Sequence, residues 1–211
     1  MSNLSKVSAK YYFIEGLKAS GWCVLIQSVI ILFQSLEASN HSMSGIEYAI
    51  ENLLSLGIVF VILMNGVYSM YGPNWYDNIV LAMGGRRKDI FWGEIIKQFT
   101  IVFINSLLYI IVAIVSSNTG YVVNILSGII FAIIAGPIGV IIGFTVGKFG
   151  RYVILGVVVI AGSFGYAMAM SSLGFFDFPP YSVALLGLVA SILYIVLEIW
   201  VYKLYQRLMV I

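Results

Sequence analysis

Charge is what this chain has least of. Only 9% of its 211 residues are Asp, Glu, Lys or Arg, whereas 61% are hydrophobic. A soluble domain is about a quarter charged. A water-soluble fold of this composition would expose apolar patches larger than monomers tolerate. Cysteine and histidine are nearly absent: Cys23 and His41 each stand alone. A single cysteine excludes an internal disulfide. No HExxH, no CxxC and no glycine loop with Walker spacing occurs, so neither a metal site nor a catalytic residue is expected. The basic residues are too few and too scattered to suggest a nucleic-acid partner. Residues 1–18 are polar and no small-residue cleavage site follows a short apolar core, so no cleavable leader is expected.

Long apolar runs are what the chain does have. A membrane-crossing helix needs about 20 mostly apolar residues. Segments 20–36, 53–71, 99–115, 121–146, 152–170 and 181–202 meet that need. Barrel strands would instead alternate over about ten residues. The expected fold is an all-α integral membrane protein. It has an interfacial helix over 1–18 and a six-helix transmembrane domain over 19–211.

The cations orient the bundle. Lys6, Lys10 and Lys18 precede the first span. Arg86, Arg87, Lys88 and Lys97 lie between the second and third. Lys148 and Arg151 lie between the fourth and fifth, and Lys203 and Arg207 follow the sixth. These are all eleven basic residues of the chain. The opposite loops carry Glu37, Glu47, Glu51 and Asp177 instead. Cytoplasmic loops hold the excess of Lys and Arg, so both termini are expected in the cytoplasm of a multi-pass protein of a bacterial cell membrane.

Local patterns add detail. Leu4, Val7, Tyr11 and Ile14 recur at the spacing of one helix face, as in a helix lying on the membrane surface. Ser44 and Glu47 have capping-box spacing at the start of the second span. Gly136, Gly139, Gly143 and Gly147 flank Pro137 in the fourth, and suit close helix approach within the bundle or between subunits. Gln27, Asn65, Asn105 and Asn124 lie in spans. Their roles are interhelical hydrogen bonding, or lining a translocation path or a dimer seam. Glu198 is the one ionisable side chain counted inside a span, too few acids for proton or ion coupling.

The segment between the second and third spans is the most unusual. It reads NWYDNIVLAMGGRRKDIFWGEIIKQF from Asn74 to Phe99. Asn74 and Asp77 are placed to start a helix carrying Ile79, Val80 and Met83. Gly84-Gly85 then breaks it, and a second helix leads into the third span. Arg86, Arg87 and Lys88 at the break oppose the dipole of that second helix. They call for an external partner, either anionic membrane lipid or an acidic groove on a cytoplasmic protein.

The stretch LAMGGRRKDIFWGEII resembles the signature loop of permease subunits of ABC-2 type ABC transporters. In that family a small–Gly–x–x–Arg-Lys-Asp pattern leads from the second span to the third. The six-span plan and amphipathic N-terminal helix resemble the family too. The resemblance implies a coupling helix that docks on a separate ABC ATPase, with docking residues Tyr76, Asp77, Ile79, Val80 and Met83. Arg86, Arg87, Lys88 and Asp89 would form the elbow. It implies that residues 1–18 form the connecting helix, and that a second permease subunit, identical or related, completes the export path. ATP and magnesium would be held by the partner ATPase, with no cofactor on this chain, which would not be an enzyme. Short outer loops suit a hydrophobic or amphipathic cargo such as a peptide toxin, bacteriocin, antimicrobial peptide or lipid-like drug. The alternative is a non-transporting membrane scaffold or sensor that recruits a cytoplasmic protein through the basic loop. An intramembrane enzyme is the weakest reading.

Overall fold

The structure is a computed structural model that describes residues 3–37, 45–149 and 180–208. All of the regular elements among them are helical. They are α1 (Asn3–Glu37), α2 (Gly45–Tyr71), a π-helical turn (Gly72–Tyr76), α3 (Asp77–Ala82), α4 (Arg87–Val115), α5 (Tyr121–Phe149) and α6 (Pro180–Leu208). By length and composition, four helical segments can cross a membrane: Ser5–Phe33, Arg87–Val115, Tyr121–Val146 and Val183–Arg207. The pair Gly45–Leu54 and Gly57–Ala82, bent by 47°, makes a fifth if it is one span. These helices are those of a multi-pass membrane protein. The expected span over 152–170 lies outside the described residues, as do His41, Ser44 and Asp177.

Two boundaries differ from the sequence expectation. Residues 1–18 and 20–36 were expected as an interfacial helix followed by a span, yet α1 runs through both without a break. No proline or glycine pair interrupts it, so helical hydrogen bonding continues. Likewise, no loop separates the second span from the short helix that follows. Pro73, which has no N–H to donate, falls in the π-turn, and the Asp77 N–H reaches back to the Gly72 carbonyl. α2 therefore passes directly into α3.

The buried stripe of α1 is Ser8, Tyr12, Gly16, Ala19, Cys23 and Gln27, the spacing of a single helix face. Its remaining surface is largely exposed and apolar, including Trp22, Leu25, Leu32 and Phe33, as suits a helix facing lipid. α4 is the most enclosed helix. Its apolar inner residues Val102, Tyr109 and Ala113 pack with Cys23 of α1, Leu54, Ile58 and Val61 of α2, and Ile125 and Ala132 of α5. α2 and α5 approach backbone to backbone. A Cβ at Gly139 would strike the Gly66 carbonyl, and one at Gly143 the Met70 carbonyl. The glycine ladder thus packs within one bundle, where small residues let helices gain dispersion contacts that lipid cannot provide.

Candidate functional site

The elbow between α3 and α4 is built by local rules. The Gly84 N–H bonds to the Leu81 carbonyl at 2.9 Å and the Gly85 N–H to the Val80 carbonyl at 2.9 Å. Gly84 has φ +83°. This is a Schellman closure with glycine in the left-handed position, which L side chains resist. α4 then begins at Arg87. The Arg86 N–H donates to Asp89 Oδ2 at 3.1 Å, and the Arg86 guanidinium Nε lies 3.5 Å from the same oxygen. Asp89 in the first turn offsets the dipole conflict posed by the three cations. Ser5 of α1 donates to Asp89 Oδ1 at 2.8 Å, and Ser8 to the Asp89 carbonyl at 3.3 Å. The N-terminal helix is thereby fastened to the elbow.

Asp77 is the second fastening point. It is fully buried. Tyr12 of α1 donates to its Oδ1 at 2.5 Å and Tyr205 of α6 to its Oδ2 at 2.8 Å. Both carboxylate oxygens are satisfied by neutral donors, as a buried carboxylate requires. Beside it, Lys97 and Glu94 form a fully enclosed ion pair, with Nζ 2.6 Å from Oε1. Lys97 also donates to the Tyr68 carbonyl at 3.2 Å and lies 4.9 Å from the Tyr76 ring centroid. Gly93 makes the contact possible, since a Cβ there would overlap the Tyr12 ring.

The expected docking residues separate into two sets. Asp77 and Val80 face inward, and Tyr76 is half-buried with its ring beside Lys97. Ile79 and Met83 face outward, together with Trp75, which is 66% exposed. Arg86 and Lys88 are exposed, and Arg87 donates to the Gln206 carbonyl of α6 at 2.9 Å. Two grooves flank the elbow. One, of about 730 Å³, lies towards α6 between Arg87 and Tyr202. The other, of about 640 Å³, lies towards α1 between Lys88 and Trp92. Three apolar side chains and a basic rim therefore surround one short helix that is pinned from behind.

The other expected residues are placed as follows. Val7 and Ile14 point away from the bundle and Tyr11 is half-buried, while Leu4 falls in α1. Gln27 donates to the Gly57 carbonyl at 3.4 Å and Asn65 to the Ala132 carbonyl at 2.8 Å. Asn105 donates back to Ile101 of its own helix, and Asn124 is half-buried at the start of α5.

Asp77, Glu94 and Lys97, expected in the segment between the second and third spans, are buried in the protein as deeply as Glu198 or more so. Lys97, counted among the loop cations, is enclosed because α4 starts ten residues before it and α1, α2 and the π-turn close over it. The missed signal was the Glu94–Lys97 spacing of three on one helix face.

No protein-family model, curated protein or solved structure matches the chain.

Proposed function

We propose that this chain is the permease subunit of an ATP-driven exporter of the ABC-2 type, powered by a separate ATPase that docks on α3 and the elbow. The observation that carries this reading is the construction of α3. Ile79 on its outer face is exposed together with Trp75 of the preceding turn and Met83 just past its end, beside Arg86 and Lys88, while its first residue, Asp77, is held by α1 and α6 at once. A partner pushing on α3 would move both helices, because the buried bonds leave little slack. The exposed apolar knobs fit the buried centre of an interface and the cations its polar rim. A positively charged rim selects an acidic docking surface.

In this reading six spans place both termini in the cytoplasm, with 152–170 as the fifth of them. Hydrolysis takes place on the partner, two permease subunits form the path, and the cargo is hydrophobic or amphipathic. Co-purification in lipid nanodiscs tests it. The wild-type chain should retain an ABC ATPase, and the Arg86/Arg87/Lys88→Ala variant should lose it along with export. A chain that retains no ATPase, or a variant that exports normally, would exclude this function.

A further inference from the structure

Beyond the Tyr12–Asp77–Tyr205 clamp, α2, α4 and α6 each carry a pair of polar residues spaced four apart, and so on one face of the helix. The pairs are Asn65 and Ser69, Glu94 and Gln98, and Tyr194 and Glu198. Asn65, Gln98 and Tyr194 line one narrow gap. Ser69, Glu94 and Glu198 lie one turn nearer the elbow, and Glu94 and Glu198 are within electrostatic reach of each other. Each of the six side chains has a buried oxygen that no well-aligned hydrogen bond reaches: Asn65 Oδ1, Ser69 Oγ, Glu94 Oε2, Gln98 Oε1, Tyr194 Oη and Glu198 Oε1. Tyr194 and Glu198 lie within bonding reach of each other, which still leaves the four oxygens on α2 and α4 without a partner. The gap between Asn65, Gln98 and Tyr194 is too small to admit a water molecule. Buried polar groups are paired nine times in ten or more, so a run of orphans on facing helices calls for a missing partner.

That partner is a donor. The two amide oxygens only accept, the two carboxyl groups only accept once a bound cation holds them ionised, and the two hydroxyls accept as well as donate. Charge points the same way. Apart from Asp89, which pairs with Arg86 at the surface, the buried carboxylates are Asp77, Glu94 and Glu198, against Lys97 as the one buried cation among the described residues. Lys97 already donates to Glu94 Oε1 and the Tyr68 carbonyl. Near the elbow α6 is pinned by the Tyr205–Asp77 bond and the Phe144–Tyr205 ring contact, while further along the helix, at Tyr194, it meets α4 through the ring contact Phe99–Tyr194.

We propose that the α2–α4–α6 seam binds the cationic head of an amphipathic molecule, a protonated amine or guanidinium, admitted when α6 parts from α4 at Tyr194 while its Tyr205 end stays fastened. The head supplies the missing donors and the missing positive charge. Phe99, Val102 and Ile133 complete the lining and offer its tail an apolar surface. The inference rests on the exporter reading only in calling this molecule the cargo.

The test uses the full chain alone, in neutral-lipid nanodiscs, with a photoreactive dodecylamine and the matching dodecanol as probes. The amine should label peptides spanning 65–69, 94–102 and 194–198 about tenfold more than the alcohol, and Glu198→Gln should cut that labelling about fivefold, as loss of a charge-assisted bond predicts. Unlabelled dodecylamine, and not dodecanol, should compete in the wild-type chain, which decides the matter if the variant does not fold. Equal labelling by both probes, or competition by both, would overturn the site. Because no ATPase is present, that result leaves the exporter reading intact. Amine-specific labelling of a chain that never retains an ATPase would sustain the site and remove that reading.

Discussion

The Tyr205 hydroxyl donates to Asp77 Oδ2 at 2.8 Å across 128 residues of chain. Tyr12 meets the other carboxylate oxygen from 65 residues upstream. The first residue of α3 is thus the point where the first and last described helices are tied together. A motion imposed on α3 is shared by helices that span the molecule, which is what a force-receiving element requires.

Removing either tyrosine hydroxyl leaves a buried carboxylate half satisfied. Hydrogen bonds to charged groups contribute about 1.5–3 kcal/mol. Tyr205→Phe and Tyr12→Phe are each expected to lower stability by about that amount, read as earlier thermal unfolding in nanodiscs. Unchanged unfolding in both variants would show that the clamp carries no energy.

The Glu94–Lys97 pair makes a sharper prediction. Removing one partner of a buried ion pair costs about 3–5 kcal/mol, whereas replacing both is often close to neutral. Lys97→Met should therefore unfold or misassemble the protein. Adding Glu94→Gln should restore most of the loss, as measured by a double-mutant thermal cycle. A double variant as unstable as Lys97→Met would contradict an isolated pair and show that Glu94 has further obligatory partners.

Much of the fold was legible in the sequence. The long apolar runs mark the helices found, because burial in a bilayer demands length and apolarity together. The Gly84-Gly85 break was legible because a left-handed helix end selects glycine. The candidate site was legible in its outline and not in its interior. Asp77 read as the start of a helix and a docking residue, since nothing nearby in sequence reveals that its two donors come from Tyr12 and Tyr205. Lys97 read as a loop cation, because the apolar run began after it and the helix beneath it did not. The stripe Leu4, Val7, Tyr11 and Ile14 was chosen by hydrophobicity. The inward stripe, Ser8, Tyr12 and Gly16, lies one residue round, because α1 turns small and polar residues to α4 and apolar ones outward.

Two glycines separate packing from mere composition. A Cβ at Gly93 would overlap the Tyr12 ring, while one at Gly21 meets nothing within 4 Å. Overpacking costs about 1–3 kcal/mol, and Gly to Ala in an open helical position gains about 0.5–1 kcal/mol. Gly93→Ala should lower the unfolding temperature and Gly21→Ala should hold or raise it. The reverse order would show that α1 does not seat on α4 through Tyr12.

The central claim is that the outer face of α3 receives an ABC ATPase. It is tested most directly by a photo-crosslinking amino acid placed at Ile79, with the same group at Ile46, which is 70% exposed at the far end of α2. In cells, the Ile79 position is expected to capture the ATPase subunit and the Ile46 position to capture none. No ATPase at Ile79, or equal capture at both positions, would contradict the claim.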